Sequence, residues 1–499
     1  MVSLTNSFAK FFNNKTILLE GGAHGHMSHI YEDQNLTFGN LKQMIDGLLS
    51  GSIKSQKEKT DGQALAVSVD NNGNIVYARN KGNLRDYGLN GMSSKDVADN
   101  FKDRGDITDA FSIAAVELER ALLGLNKRER VNLFKPYIKK VDKFEYGNLD
   151  DNLPVEELLK ALDKNPVSKT TESVRVKPWL NVEIIWPETT NVIHYGKKLI
   201  IFHNFIAFDV NGNPRDSDFN DFAERVKNSL ESKQLTDQEN FKIDTMKLLN
   251  YAKDNQVVIS FEKTKNRFFT QIDEIKSQFG NLDDNSTLGE YYELLFAQSI
   301  NNDNKFVPKI DLNSPDGKLL NKILFLRWFN NDKRYVKKRI QDLIKKYSAP
   351  HTFEQGADQD NTLLLWFNNI DSSPQAQRWI SKGLKSQLKS IIEDVGVTVM
   401  KNLNILLAAN PDNALQQIKD ELKRTISRVR ESDNQDWVEE INSYLVSIQR
   451  NGGIDEIVPS EGVTFQWENP KTNDVNVYKL TGTFADINQL IGFFKYSRA

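Results

Sequence analysis

Hydrophobic periodicity changes twice along this chain, near positions 216 and 450, and that double switch bounds what it can fold into. From about 15 to 85 the pattern is strand-like and punctuated by glycine. Ala64, Ala66 and Ser68 alternate with Leu65, Val67 and Val69, and Asn71-Asn72-Gly73-Asn74 then turns the chain into Ile75-Val76-Tyr77-Ala78. Two alternating runs joined by an Asn/Gly turn predict a β-hairpin. The stretch 107–123 predicts a helix capped by Asp106 or Thr108, and strand character returns at 180–210. From about 216 to 450 glycine is scarce and apolar residues recur at three- and four-residue spacing, as in FNDFAERVKNSLES and NALQQIKDELKRTISRVRES. That spacing predicts helices. Roughly the last 50 residues revert to short strands, VTFQW and VNVYKLTG, before a helix, NQLIGFFKYSR. The expected fold class is α+β. A domain with antiparallel sheets is built from residues 1–215 and 451–499, and a large all-α domain, 216–450, is inserted in its middle.

Composition removes several function classes. A length of 499 residues gives two or three packed units at about 150 residues each. The absence of cysteine excludes disulfide scaffolds, thiolate zinc sites, iron–sulfur clusters and a cysteine nucleophile. A net charge of -3 provides no global basic field, so any nucleic-acid surface is local. No apolar run approaches the ~18 residues of a membrane-spanning helix, and the N-terminus lacks the pattern of a secretion signal. The expectation is a cytoplasmic enzyme or binding protein with no membrane partner.

The first candidate for chemistry is Glu58-Lys59-Thr60-Asp61-Gly62, directly before the hairpin. A lysine is nucleophilic only when neutral, so it needs burial or neighbouring cations to lower its pKa. Alone, this short motif reads as a solvated turn, because Lys, Asp and Gly are common there. Arg79 follows 20 positions later, at the end of the second hairpin strand. Glu183 and Glu461 each adjoin an apolar strand run, where a carboxylate is costly unless it is paired or metal-bound. Lys479 lies within another strand run.

The order K-x-D-G, R, E, aromatic-F-D, E-G-V, K resembles the covalent nucleotidyltransferases, which include ATP-dependent RNA and DNA ligases and capping enzymes. The resemblance is closest to phage-type RNA ligases. It implies a ligase-type nucleotidyltransferase domain in which Lys59 attacks the α-phosphate of ATP to form a lysyl–AMP intermediate. Asp61 and Gly62 complete the lysine loop, and Arg79 resembles the arginine that reaches the ribose and the nucleic-acid end. Glu183 resembles the glutamate on the ribose or the metal, and Glu461 the metal-binding glutamate. Phe208 resembles the ring that stacks on the purine, with Phe202 and Phe205 as rivals, and Lys479 the lysine on the α-phosphate. The implied cofactors are ATP and Mg²⁺, and the implied partner is nucleic acid, RNA rather than DNA. The implied reaction joins a 5′-phosphate to a 3′-hydroxyl, in the host cytoplasm if the source is a phage.

The chain departs from the family pattern in three ways. The last motif usually reads K-x-K, but Thr481 stands where the second lysine belongs. The insertion between Phe208 and Glu461 is longer than usual. Only about 20 residues follow Lys479, too few for the OB-fold of DNA ligases and capping enzymes. The alternatives are a DNA ligase, a nucleotidyltransferase with a cap or protein acceptor, and a nucleic-acid-binding protein that has kept the fold and lost the chemistry.

Three further features stand out. His24, His26 and His29 cluster in a glycine-rich turn suited to a substrate contact, a metal or a plain structural role. Between 318 and 346, ten Lys/Arg, among them Lys333, Arg334, Lys337, Lys338 and Arg339, form a basic segment, in which Trp328 and Tyr335 are candidates to stack on bases. A smaller basic stretch occupies 127–143. The sequence leaves the oligomeric state open.

Overall fold

The computed structural model describes residues 27–145, 152–163, 168–189, 197–218, 221–246, 255–302, 310–330, 337–348, 370–403, 411–430, 460–470 and 475–484, with scattered positions between them. Among the described residues the architecture is mixed α+β, with one three-stranded and one seven-stranded sheet.

The seven-stranded sheet is organised around β5 (Ser168–Ile185). The first half of β5 pairs antiparallel with β4 (Tyr137–Glu145). Its second half lies between β2 (Gln63–Val69) and β6 (Leu199–Phe208), and β3 (Ile75–Ala78) completes the hairpin on β2. The period-2 pattern of β2 sends Leu65, Val67 and Val69 to one face, where Leu180, Val182, Ile200 and Phe202 join them in one core. The helix Asp106–Leu123 covers that core with Ala110, Phe111, Ala114 and Leu118. The opposite face carries Ala64, Ala66, Ala78 and Glu183, and Trp179 and Phe208 pack there with Ala66 and Ala78.

The small sheet runs β1 (Lys57–Lys59), β9 (Gly462–Glu468), β10 (Val475–Leu480), all antiparallel. Both chain ends are therefore needed to make it. Val463, Phe465, Trp467, Tyr478 and Leu480 belong to the core shared with the helices. Alternation puts Lys57, Lys59, Thr464 and Lys479 on the other face.

The helical part packs around a long helix, Pro374–Lys401, whose Ser373 cap accepts the Ala376 N–H at 3.2 Å. This helix touches the N-terminal helix Phe38–Leu49, the helix Asn255–Ser277 and both β9 and β10. The N-terminal helix has its own capping box, in which Asn40 N–H reaches Thr37 Oγ1 at 3.1 Å.

The hairpin appears at 63–78 as expected from its alternation. The helix at 107–123 spans Asp106–Leu123, but its N-cap is Gly105, with no side-chain cap. Thr108 instead donates to Phe101 O at 2.5 Å and accepts from Arg104 N at 2.9 Å, fastening the preceding loop. The sheet also runs on beyond residue 215. Strands β7 (Pro214–Asp218) and β8 (Lys242–Thr245) both pair with β6. A four-residue strand such as β8 has too few alternations to register as a strand in sequence. Residues 491–499, the end of the expected last helix, lie outside the described residues. Among the described residues, no helix is long and apolar enough to cross a membrane.

Candidate functional site

Lys59 is the last residue of β1, in register with Gly462 of β9. That register sets Glu461 beside it, and the Lys59 ammonium contacts a Glu461 carboxylate oxygen. Gly462 also admits the close approach of β10, since a Cβ there would sit 2.4 Å from Leu480 O. The side chains of Lys59 and Glu461 keep 25% and 17% of their surface, so the pair opens to solvent on one side.

The second wall comes from the large sheet. Glu183, opposite Ala64 on β2 and Ile201 on β6, accepts the Gly62 N–H at 2.7 Å and contacts Thr60 Oγ1. Its other neighbour is His203 Nε2, at 2.5 Å. His203 follows Ile201, the partner of Glu183, by two residues and so faces the same side; a bulge comes next, where Val182 pairs with Phe202 and Asn181 with Asn204, and it brings Asn204 to that side as well. Gly62 is required here, since a Cβ would lie 2.7 Å from Glu183 Cγ and 2.8 Å from Ile184 O. Asp61 is fixed at both ends. Its N–H donates to Tyr195 Oη at 3.0 Å, and its carboxylate accepts the Ile193 N–H at 3.2 Å.

Charge is unevenly shared among these groups. Burial pushes the Glu461 carboxyl up to about 7, and Asp61 and Glu183 push the same way, against the pull of Lys59. Burial also works to raise the Glu183 carboxyl, but His203, Lys59 and Thr60 outweigh it and hold that group below the usual carboxylate range. For Lys59, burial works to lower the pKa, yet Glu461 and Glu183 together raise it above the ordinary lysine value. The expected depression by positive neighbours is thus absent from the protein's own groups, because carboxylates surround the ammonium. Among the described residues no three His, Asp or Glu side chains are grouped as a metal site. Glu183 and Glu461 instead flank Lys59 as two separate carboxylates. This donor set fits a hard cation that takes one or two protein carboxylates and completes its shell with substrate oxygens and water, as Mg²⁺ does.

The remaining candidates sit at different distances from this centre. Arg79 lies one strand out, where its guanidinium reaches Ala64 O at 2.5 Å and the Phe111 ring at 5.5 Å. Burial lowers its pKa, and Arg104 adds to the effect. Lys479 shares the Lys59 face of the small sheet and pairs with Thr464. His29 bridges to Lys479, whose N–H donates to Ser28 O at 3.0 Å, so the histidine turn ends against β10. The His29 ring stacks on Tyr31 at 4.8 Å, while His24 and His26 lie outside the described residues.

Phe208 requires a correction. It is 1% exposed in an apolar cluster with Ala66, Ala78, Leu84 and Trp179. It stands seven residues along β6 from Ile201, the partner of Glu183, a separation of about 23 Å at strand spacing. Its rivals Phe202 and Phe205 are buried in the core on the far face. None of the three offers a ring to the Lys59 centre. A strand pattern rich in phenylalanine here reports the core. Trp328 is corrected for the same reason, being 2% exposed and packed against Phe296 and Phe367.

In the basic segment, the helix Lys337–Ser348 buries Ile340, Leu343 and Ile344 and exposes Lys338, Lys345 and Lys346. Arg339 is half-buried on the same helix, and only the backbone of Lys337 is described. Lys333, Arg334 and Tyr335 lie outside the described residues. Sequence reasoning missed Thr60, Tyr195 and His203. Thr60 sits inside the lysine motif itself, whereas no local signal marks Tyr195 or His203, whose roles depend on strand register. A comparison of the chain with protein-family models, with characterised proteins and with solved structures finds no match.

Proposed function

We propose that this protein is an ATP-dependent polynucleotide ligase that joins RNA ends through a lysyl–AMP intermediate on Lys59. One observation carries the reading. Lys59, Glu183 and Glu461, drawn from segments up to 402 residues apart, converge on one centre with Lys59 between the two carboxylates. Lys479 on the same face of the small sheet, and Arg79 at the end of β3 in the large sheet, add positive charge at the periphery.

In this reading the neutral Lys59 nitrogen attacks the α-phosphorus of ATP. An N–P bond forms, the bond to pyrophosphate breaks, and the lysine proton leaves to solvent or a basic neighbour. An oxygen of a 5′-phosphate end then displaces Lys59 from the adenylyl group, and a 3′-hydroxyl displaces AMP to seal the strand. Glu183 and Glu461 would hold Mg²⁺, which supplies charge neutralisation on the phosphates when bound. Glu461 and Glu183, once engaged there, would no longer hold the proton on Lys59. Glu183 keeps its orientation through Gly62, Thr60 and His203, and Asp61 braces the loop on Tyr195.

The test is incubation with α-labelled ATP and Mg²⁺, followed by a denaturing gel beside Lys59→Ala. A Lys59-dependent label from ATP is expected, and a label from GTP alone would move the reading to capping chemistry. A second reading has its own observation. Thr481 occupies the place of the family's second lysine, and its side chain is buried. A folded protein that takes no label from either nucleotide would be a nucleic-acid-binding protein without the transfer chemistry.

A further inference from the structure

Near the middle of β5, about 20 Å along the strand from Glu183, lies a cavity of about 110 Å³. Arg175 and Lys177 line it together with Asp70, Tyr87 and Leu89. The two cations stand two residues apart on one strand and therefore point to one side. Lys177 is only 3% exposed. Among the described residues its ammonium makes no hydrogen bond and no ion pair, an unusual state for a buried lysine. Asp70 acts on it at a distance, but that carboxylate is occupied within its own turn, accepting from Asn72 N, Asn74 N and Asn74 Nδ2 at 2.8, 2.8 and 2.9 Å. Burial accordingly lowers the Lys177 pKa to about 8, with Asp70 opposing.

The rim is held open by backbone. Asp86, Tyr87 and Gly88 are consecutive left-handed residues, with φ of 52°, 57° and 81°. Such strain persists only where its surroundings impose it. Here Asp86 N donates to Val210 O at 2.7 Å, and Gly88 lies so close to Trp179 that a Cβ would approach its ring to 2.4 Å. The Arg175 guanidinium lies over the Tyr87 ring at 5.5 Å, which fixes its plane beside the cavity. The second basic stretch of the sequence arrives at the same corner. Arg130 Nε donates to Gly73 O at 3.1 Å, the Lys127 stem crosses Gly73, and Lys135 is exposed next to the lining residue Pro136. Two lining acids oppose this field, Asp86, exposed at the rim, and Asp70, held within its own turn.

We propose that this cavity binds a single phosphate group through Lys177 and Arg175. A space of this size is well under the roughly 300–1,000 Å³ that encloses a whole small ligand, so it takes one compact group. A phosphate suits a buried point charge beside a planar guanidinium. The group can belong to a nucleic-acid strand or be free in solution. The proposal rests on this corner alone and does not depend on the chemistry at Lys59.

The first experiment uses the unaltered full-length protein. Its lysines are acylated at pH 8 with and without inorganic phosphate, or with a 5′-phosphorylated oligoribonucleotide, and the modified peptides are quantified by mass spectrometry. Protection of Lys177 by either phosphate source is expected. Reactivity of Lys177 unchanged by both would overturn the proposal. The second experiment measures oligoribonucleotide binding by fluorescence anisotropy for Lys177→Met and for the charge-keeping Lys177→Arg. If the strand is the source, Lys177→Met should weaken binding on the order of tenfold or more while Lys177→Arg stays near the original affinity. Protection by phosphate with unaltered strand binding would assign the cavity to a free phosphate.

Discussion

The ammonium of Lys59 contacts the carboxylate of Glu461 across 402 positions of sequence. That contact joins β1 to β9, and so joins the two ends of the chain, at the point where the large sheet presents Glu183. Its consequence is a charge imbalance, with Lys59 held protonated by carboxylates that themselves lack a full complement of cations.

Removing the ammonium should therefore be costly in a pH-dependent way. The Glu461 carboxyl titrates near 7 in the folded protein, above its ordinary value of 4.5. A raised carboxyl favours folding when protonated and loses that contribution as pH rises from the unfolded to the folded value. Lys59→Met takes away the cation that limits this loss. The variant is expected to be about 2 kcal/mol less stable than the parent at pH 8, with the gap narrowing at pH 5. Denaturant titrations at the two pH values measure it, and an equal gap at both would show that Glu461 is ionised whether or not Lys59 is present.

Gly62→Ala tests the wall between the two carboxylates. The added methyl meets Glu183 Cγ, Ile184 O and Ile185 Cδ1 at 2.7–2.8 Å, all three in the packed strand β5. Overpacking of this kind costs about 1–3 kcal/mol, and the displaced Glu183 should lower the yield of Lys59 adduct beyond what the reduced stability explains. Adduct formation at the parental rate in the folded fraction would show that Glu183 is not needed where it stands.

Strand β2 and the helix Asp106–Leu123 were legible in the sequence because their apolar residues follow a single period over seven or more positions, and the four-residue β3 was legible because an Asn/Gly turn ties it to β2. The site was legible in part, for a different reason. Lys59, Asp61 and Gly62 are adjacent, and Glu183 and Glu461 announce themselves as acids in apolar strand runs. Phe208 was misplaced because an aromatic residue on a strand has the same local pattern whether it faces a ligand or a core. His203 was invisible because its place beside Glu183 comes from the register of β6 on β5, and register is a property of two paired strands. Glycines 62 and 462 show the same limit. Their necessity comes from neighbours distant in sequence.

The helix Lys337–Ser348 supports a separate prediction about nucleic acid. Its exposed cations Lys338 and Lys345 lie opposite the buried Ile340 and Ile344. Lys338→Glu with Lys345→Glu should weaken RNA binding and flatten its salt dependence by roughly one unit of slope for each phosphate no longer neutralised, leaving the Lys59 adduct near the parental level. Unaltered affinity and slope would make this face an ordinary solvated surface.

The last prediction concerns Glu393, far along the chain from the lysine centre but on the helix that supports β9 and β10. It is 4% exposed, and its pKa is pushed up to about 7 by burial and by Asp486, against the pull of Lys389 at 3.2 Å. The folded protein therefore holds a proton between pH 4.5 and 7 that the unfolded chain releases, and stability falls as pH rises through that window. Glu393→Gln keeps the shape and removes the titration. It should be more stable than the parent at pH 8 by roughly 2 kcal/mol, even without the Lys389 ion pair, with the advantage fading by pH 4.5. Urea titrations across this range decide it. Parallel stability curves for parent and variant would mean that Lys389 holds Glu393 ionised throughout, and that the buried acids here act as a fixed ion-pair network.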